Sequence, residues 1–246
     1  MSHDESPVHL ILGGSGGIGG ALARRLAERG ARLVLAARDP GRLAVVAAAT
    51  GAHTVSLDAT DFAQVEAAAR DAVARNGRLD GVACCIGSIV LKPAHLTSAA
   101  DWQAVVATNL TSAFAAVRAA ALAIPGPGAV ALVSTAAARV GLPNHEAIAA
   151  AKAGVIGLAR SAAATYAGRG LRVNVVAPGL VRTPLSARIT GNPAALAASV
   201  AMHPLGRIGE PDEVAAALEW LLDPAQGWIT GQVLGVDGGL ADLRAR

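Results

Sequence analysis

Leu12-Gly13-Gly14-Ser15-Gly16-Gly17-Ile18-Gly19 is the stretch on which the fold turns. An apolar run at residues 8–12 leads into it and an amphipathic run at 19–29 leaves it, the order of a strand, a turn and a helix. Glycines let a backbone turn sharply and approach a phosphate closely. The helix N-terminus beyond them offers unpaired N–H groups and positive dipole charge. A glycine run by itself would serve equally well as a plain tight turn. Set between the first strand and first helix of a βαβ unit, it reads as a cradle for a dinucleotide pyrophosphate.

Outward from this cradle, short apolar runs alternate with longer amphipathic ones, the pattern of a parallel sheet. The alternation predicts strands at 8–12, 32–36, 53–57, 81–85, 128–134, 172–177 and 232–236. It predicts helices at 19–29, 40–49, 62–76, 102–121, 145–167 and 211–222. Residues 184–209 carry prolines and glycines and predict a lid-like excursion. No linker, repeat or low-complexity segment divides the 246 residues, so a single α/β domain over 1–246 is expected.

Composition narrows the partners. The chain is 53% hydrophobic but only 2% aromatic, so its core must be built from Ala, Val, Leu and Ile. The net charge is +3, with cations scattered rather than clustered, which argues against a nucleic-acid surface or a membrane patch. The two cysteines, Cys84 and Cys85, are adjacent; that suits neither a disulfide framework nor a Cys-x-x-Cys metal site, and no metal is expected. No apolar stretch reads as long and uninterrupted enough to span a bilayer. Residues 1–7 are polar, without the apolar core of a signal peptide, so the expected location is the cytoplasm.

The spacing Gly13-x-x-x-Gly17-x-Gly19 resembles the short-chain dehydrogenase/reductase family, with Leu12 where the family usually has Thr. Matches run from Val8 to Gly239. The resemblance implies a Rossmann-type doubly wound parallel sheet and a nicotinamide dinucleotide on Gly13, Ser15, Gly17, Ile18 and Gly19. At the end of the second strand, Ala37 stands where an NAD-selecting acid would be, and Arg38 follows. Arginine suits a 2′-phosphate, so NADP(H) is favoured over NAD(H). Alternatively, Arg38 is a solvated loop residue and Asp39 caps the next helix. Asp58, followed by Ala59, would meet the adenine; its other reading is a cap for the helix near Asp61. Pro178-Gly179-Leu180-Val181-Arg182-Thr183 resembles the family's segment beside the nicotinamide, where the Val181 backbone and the Thr183 hydroxyl would hold the carboxamide. Cys84-Cys85-Ile86-Gly87 stands where the family has Asn-Asn-Ala-Gly: Gly87 fits, the asparagines are gone, and the cysteines read as packing residues.

The family's catalytic set maps onto Asn109, Thr135 and Lys152. Lysine lowers the pKa of a tyrosine four residues earlier, and the hydroxyl thirteen residues before that tyrosine polarises a carbonyl. Here Thr135 supplies the hydroxyl, but the tyrosine position holds Ile148, which has no proton to give. Lys152 is one of two lysines against 19 arginines. The sole tyrosine, Tyr166, lies eighteen residues along the same helix, about 27 Å away at about 1.5 Å per residue. His145, Glu146, His203, or Thr135 with water and Lys152, are candidate substitutes. The resemblance therefore leaves three functions open. The chain is an NADP(H)-dependent oxidoreductase with an altered proton donor, a catalytically silent cofactor-binding partner, or an enzyme of non-redox carbonyl chemistry. It also implies a small-molecule substrate, weakly apolar by the residues of 184–203, and a homodimer or homotetramer. In that assembly the helices at 102–121 and 145–167 would pack through Ala149, Ala153 and Gly157.

Overall fold

The computed structural model describes residues 6–244. Its strands are β1 (Val8–Leu12), β2 (Arg32–Ala37), β3 (His53–Ser56), β4 (Gly81–Cys84), β5 (Gly128–Val133), β6 (Leu171–Pro178) and β7 (Val233–Val236). All pair in parallel, in the order β3-β2-β1-β4-β5-β6-β7. This is the doubly wound single domain expected from the alternation. β1 and β6 are buried along their whole length, which suits their mostly apolar sequence; His9, Arg172 and Asn174 are buried polar exceptions.

Helices α1 (Gly17–Glu28), α2 (Pro40–Thr50) and α9 (Pro211–Leu222) cover one face through Leu22, Leu26, Leu43, Val214 and Leu218. Helices α3 (Phe62–Asn76), α5 (Ser112–Ala123) and α6 (Glu146–Tyr166) cover the other, with alanines such as Ala68, Ala116 and Ala159 at the contact. Strand order reverses at β1, flanked by β2 on one side and β4 on the other. Crossovers leave in opposite directions there, so a crevice opens beyond the C-terminal ends of those strands.

Two expectations change. The helix expected at 102–121 is a run over Ala99–Ala123, made of α4 (Ala99–Val106), a π turn (Ala107–Thr111) and α5. It starts earlier because Ser98 Oγ accepts from Asp101 N (3.1 Å) while Asp101 Oδ2 accepts from Ser98 N (3.3 Å), a reciprocal cap. Second, Ala99–Ala123 and Glu146–Arg169 are long and apolar enough, by length and composition, to cross a membrane, contrary to the expectation of none. Alanine raises their apolarity, and about half of each is buried inside the fold. The expected excursion at 184–209 contains short helices. It holds a 3₁₀ turn (Pro184–Ser186), α7 (Ala187–Thr190) and α8 (Pro193–Met202). Pro193 opens α8 rather than breaking it, at the first helical position where its missing N–H costs nothing, and Asn192 Oδ1 accepts from Ala195 N at 3.1 Å.

Candidate active site

The turn after β1 is held by Gly13 N donating to Ala36 O at 2.7 Å, and Gly13 adopts φ +79°, a conformation that favours glycine. α1 begins at Gly17, two residues before the expected start, so the first turn of a helix, whose N–H groups have no intrahelical partners, borders the crevice at Gly17 and Ile18. A Cβ on Gly17 would lie 2.8 Å from Thr183 Cγ2; glycine is what lets Thr183 close over the cradle. Gly19 does not line the cleft. It sits behind the turn, where a Cβ would strike Gly13 O.

A cleft of about 660 Å³ extends from this turn. Its walls bring together Gly13, Ser15, Gly17, Ile18, Arg38, Asp58, Ala59, Gly87 and Thr183, as expected, with Arg42, Cys85 and Leu185 besides. At its outer end Arg38 and Arg42 are exposed, and Arg42 donates to Ser15 O at 3.1 Å. Asp39 caps α2 by accepting from Arg42 N at 3.0 Å. Asp58 is not a helix cap: Asp61 Oδ1 receives Ala63 N and Gln64 N. Asp58 Oδ1 instead accepts Thr60 N and Thr60 Oγ1, both at 2.9 Å, and these bonds hold its carboxyl below the usual carboxylate range.

Gly87 lines the inner end, and Lys152 and Asn109 converge behind it; neither they nor Thr135 line the cleft wall itself. A Cβ on Gly87 would lie 3.3 Å from Asn109 Oδ1 and 3.7 Å from Lys152 Nζ. Lys152 is 5% exposed, and its Nζ donates to Val133 O (2.8 Å) and Ile86 O (3.2 Å). Burial pulls its pKa down to about 8, only partly offset by the neighbouring Cys84 and Cys85 sulfurs. An ammonium has three protons, so two are directed at carbonyls and one remains. Asn109, carried on the π turn, donates to Ser88 Oγ (2.8 Å) and Val105 O (2.9 Å) and accepts from Ser88 N (3.1 Å). π turns of this kind recur at functional sites.

Thr135, at the end of β5, accepts from Ala137 N at 3.3 Å and reaches Pro178 O at 3.5 Å. The adjacent Ser134 hydroxyl points elsewhere, donating to Lys152 O at 2.9 Å inside the fold. Ile148, one turn before Lys152, is 6% exposed and packs with Val105, Ala147 and Ala151. The candidate substitutes are otherwise engaged. His145 Nδ1 lies 2.7 Å from Pro143 O, and Glu146 Oε1 accepts from Ala94 N at 3.3 Å. His203 is buried and bonded on both ring nitrogens. Tyr166 sits at the far end of α6 under the Arg169 guanidinium. Cys84 and Cys85 pack beside Lys152, and burial pushes both thiols up.

Three expected residues of the Pro178–Thr183 segment, Pro178, Gly179 and Val181, lie off the cleft wall, Pro178 being buried at the end of β6. Val181 is buried, its carbonyl accepting from Ser186 Oγ at 2.5 Å. Gly179 lines a separate cavity of about 360 Å³ with His203, Arg207 and Asp237, because the imidazole of His203 lies directly against it. Reading the residues misses Ser88 and Arg42. No motif marks Ser88, whereas the placement of Arg42 one turn into a helix capped by Asp39 was open to inference.

A family model described as enoyl-(acyl carrier protein) reductase matches residues 13–241. The cis-4-hydroxycyclohexanecarboxylate dehydrogenase of Sinomonas cyclohexanicum is 40% identical over 94% of this chain and 95% of its own. A protein named inactive 2-(S)-hydroxypropyl-CoM dehydrogenase 2, from Xanthobacter autotrophicus, is 35% identical over 90% of this chain and 100% of its own. Among solved structures, a short-chain type dehydrogenase/reductase from Mycobacterium ulcerans superposes with a TM-score of 0.90 at 30% identity, covering 97% of this chain and 91% of that one. The glycine cradle at the strand-order reversal, the cleft beyond it and these likenesses agree: the chain belongs to the short-chain dehydrogenase/reductase family, whose cofactor is a nicotinamide dinucleotide.

Proposed function

We propose that this protein is an NADP(H)-dependent oxidoreductase interconverting a small-molecule carbonyl and alcohol with a proton donor other than tyrosine. The observation that carries the reading is Lys152: buried, anchored to Val133 O and Ile86 O, and beside Asn109 and Gly87 at the inner end of a glycine-walled cleft. Gly13, Ser15, Gly17, Ile18 and Gly19 shape the pyrophosphate site, and Asp58 with Ala59 borders the adenine. Thr183 borders the nicotinamide end of the cleft, and Pro178, Gly179 and Val181 form the backbone segment behind that wall. NADP(H) is favoured because Ala37 offers no carboxylate and two exposed arginines, Arg38 and Arg42, stand at the outer end. A nicotinamide dinucleotide held by these residues would supply hydride to, or take it from, the substrate carbon. Thr135 polarises the carbonyl oxygen, and the free proton of Lys152 reaches that oxygen through water. Without tyrosine the step is slower by about 10²–10⁴-fold than a positioned acid allows.

A second reading, a catalytically silent nucleotide-binding protein, is favoured by the burial of Ile148 in an apolar cluster. Fluorescence titration with NADPH and NADH, then a panel of carbonyls with wild type, Ile148→Tyr and Lys152→Ala, separates them. Wild-type turnover lost in Lys152→Ala supports the enzyme; turnover only in Ile148→Tyr supports the silent protein; no binding of either nucleotide sinks both. The assembly we propose is a homo-oligomer through α5 and α6. There Phe114 and Leu122 are exposed and Ala153 and Gly157 add no bulk, and light scattering at defined concentration tests it.

A further inference from the structure

His203 follows α8 and is 4% exposed. Its Nδ1 lies 2.6 Å from Ser199 O, and its Nε2 lies 3.2 Å from Leu180 N. A carbonyl only accepts and a backbone N–H only donates, so the proton sits on Nδ1 and Nε2 is the acceptor. The Leu180 carbonyl is held as well, accepting from Gly209 N at 2.9 Å. Arg182 N donates to Gly209 O at 2.9 Å, completing a parallel bridge between Val181 and Gly209. A Cβ on Gly179 would lie 2.5 Å from His203 Nε2 and 3.0 Å from Cδ2. Glycine is therefore needed at 179 for space, and the ring fills the room a side chain would take.

We infer that His203 is a positioning residue that ties helix α8 to the Gly179–Val181 backbone, so that the 184–209 excursion and the nicotinamide side of the cleft are held as one unit. The role in nicotinamide binding rests on the proposed function; the mechanical tie does not. Removing the imidazole frees Leu180 N–H and opens space beside Gly179, and both ends of the tie relax.

Hydrogen–deuterium exchange and nucleotide titration on the full chain test this. In His203→Ala, exchange should rise in 179–183 together with 193–202. Affinity for NADPH should fall about tenfold, the scale of one lost buried hydrogen bond, while affinity for adenosine 2′,5′-bisphosphate, which lacks the nicotinamide half, stays within about twofold. His203→Gln, whose Oε1 can still accept from Leu180, should recover most of the NADPH affinity. Gly179→Ala approaches the same contact from the other side. It should loosen both segments, and His203→Ala should rescue it in part, since Asp237 Cα still lies 3.2 Å from the new Cβ. Faster exchange in 193–202 alone, or equal weakening of both nucleotides, would overturn the inference. Failure of wild type to bind any nucleotide would overturn the cofactor reading and leave the exchange result to decide the tie.

Discussion

The outer and inner halves of the cleft are built from different materials. The outer half is backbone: the turn at Gly13, the start of α1 at Gly17 and the close approach of Thr183 depend on the absence of side chains. The inner half is side chains: Lys152, Asn109 and Ser88 meet under Gly87 from α6, the π turn and the loop after β4. A backbone site tolerates change in every side chain that does not point into it. A side-chain site keeps its shape when one member is replaced and still loses that member's chemistry; on the proposed reading Ile148, packed with Val105, Ala147 and Ala151, is such a replacement. On the proposed function, cofactor binding and proton transfer are separable properties of this molecule.

Substitutions at the two ends should part those properties. At the inner end Lys152→Met should cut carbonyl turnover by about 10²–10⁴-fold while leaving NADPH affinity within about tenfold; equal loss of both in steady-state and binding assays would break the distinction. At the outer end Gly19→Ala should lower NADPH affinity by about 100-fold, because the new methyl meets the rigid Gly13 carbonyl. Titration showing unchanged affinity would mean that the turn is not the nucleotide site. Arg38→Ala should weaken NADPH by about 10–100-fold and NADH hardly at all; parallel loss of both would assign Arg38 a role other than 2′-phosphate recognition. The smallest change is in stability. Ile148→Tyr should cost about 1–3 kcal/mol in urea unfolding, because the ring overpacks the cluster with Val105 and Ala151. A stability equal to wild type would reveal room for a tyrosine.

This division also explains what could be read from the residues. β1 ends where its apolar run ends, and the glycine spacing located the cleft, because strand burial and sharp turns are local properties with local residue demands. The π turn at Ala107–Thr111 was hidden, since nothing in Ala-Thr-Asn-Leu-Thr differs from an ordinary helix until Asn109 finds Ser88 across the fold. The extra turn of α4 is encoded locally in Ser98-x-x-Asp101, a reciprocal cap. The capping alternative for Asp58 falls to Asp61, because each lies before a helix and only hydrogen bonding distinguishes a turn from a cap. The two carbonyl partners of Lys152 come from β5 and the loop after β4, long-range contacts that no spacing encodes.

The central claim is that Lys152 hands on a proton in an enzyme without the usual tyrosine. Above the lysine's pKa the ammonium is depleted, so the rate of carbonyl reduction should fall as pH rises through about 8, about tenfold per unit. The decisive measurement is the pH profile of NADPH-dependent carbonyl reduction by wild type and by Lys152→Arg, whose guanidinium keeps its charge but does not release a proton. The account predicts a wild-type rate that declines above about 8 and a Lys152→Arg variant that binds NADPH yet turns over at least about 100-fold more slowly. A Lys152→Arg variant as active as wild type, with the same pH profile, would contradict it.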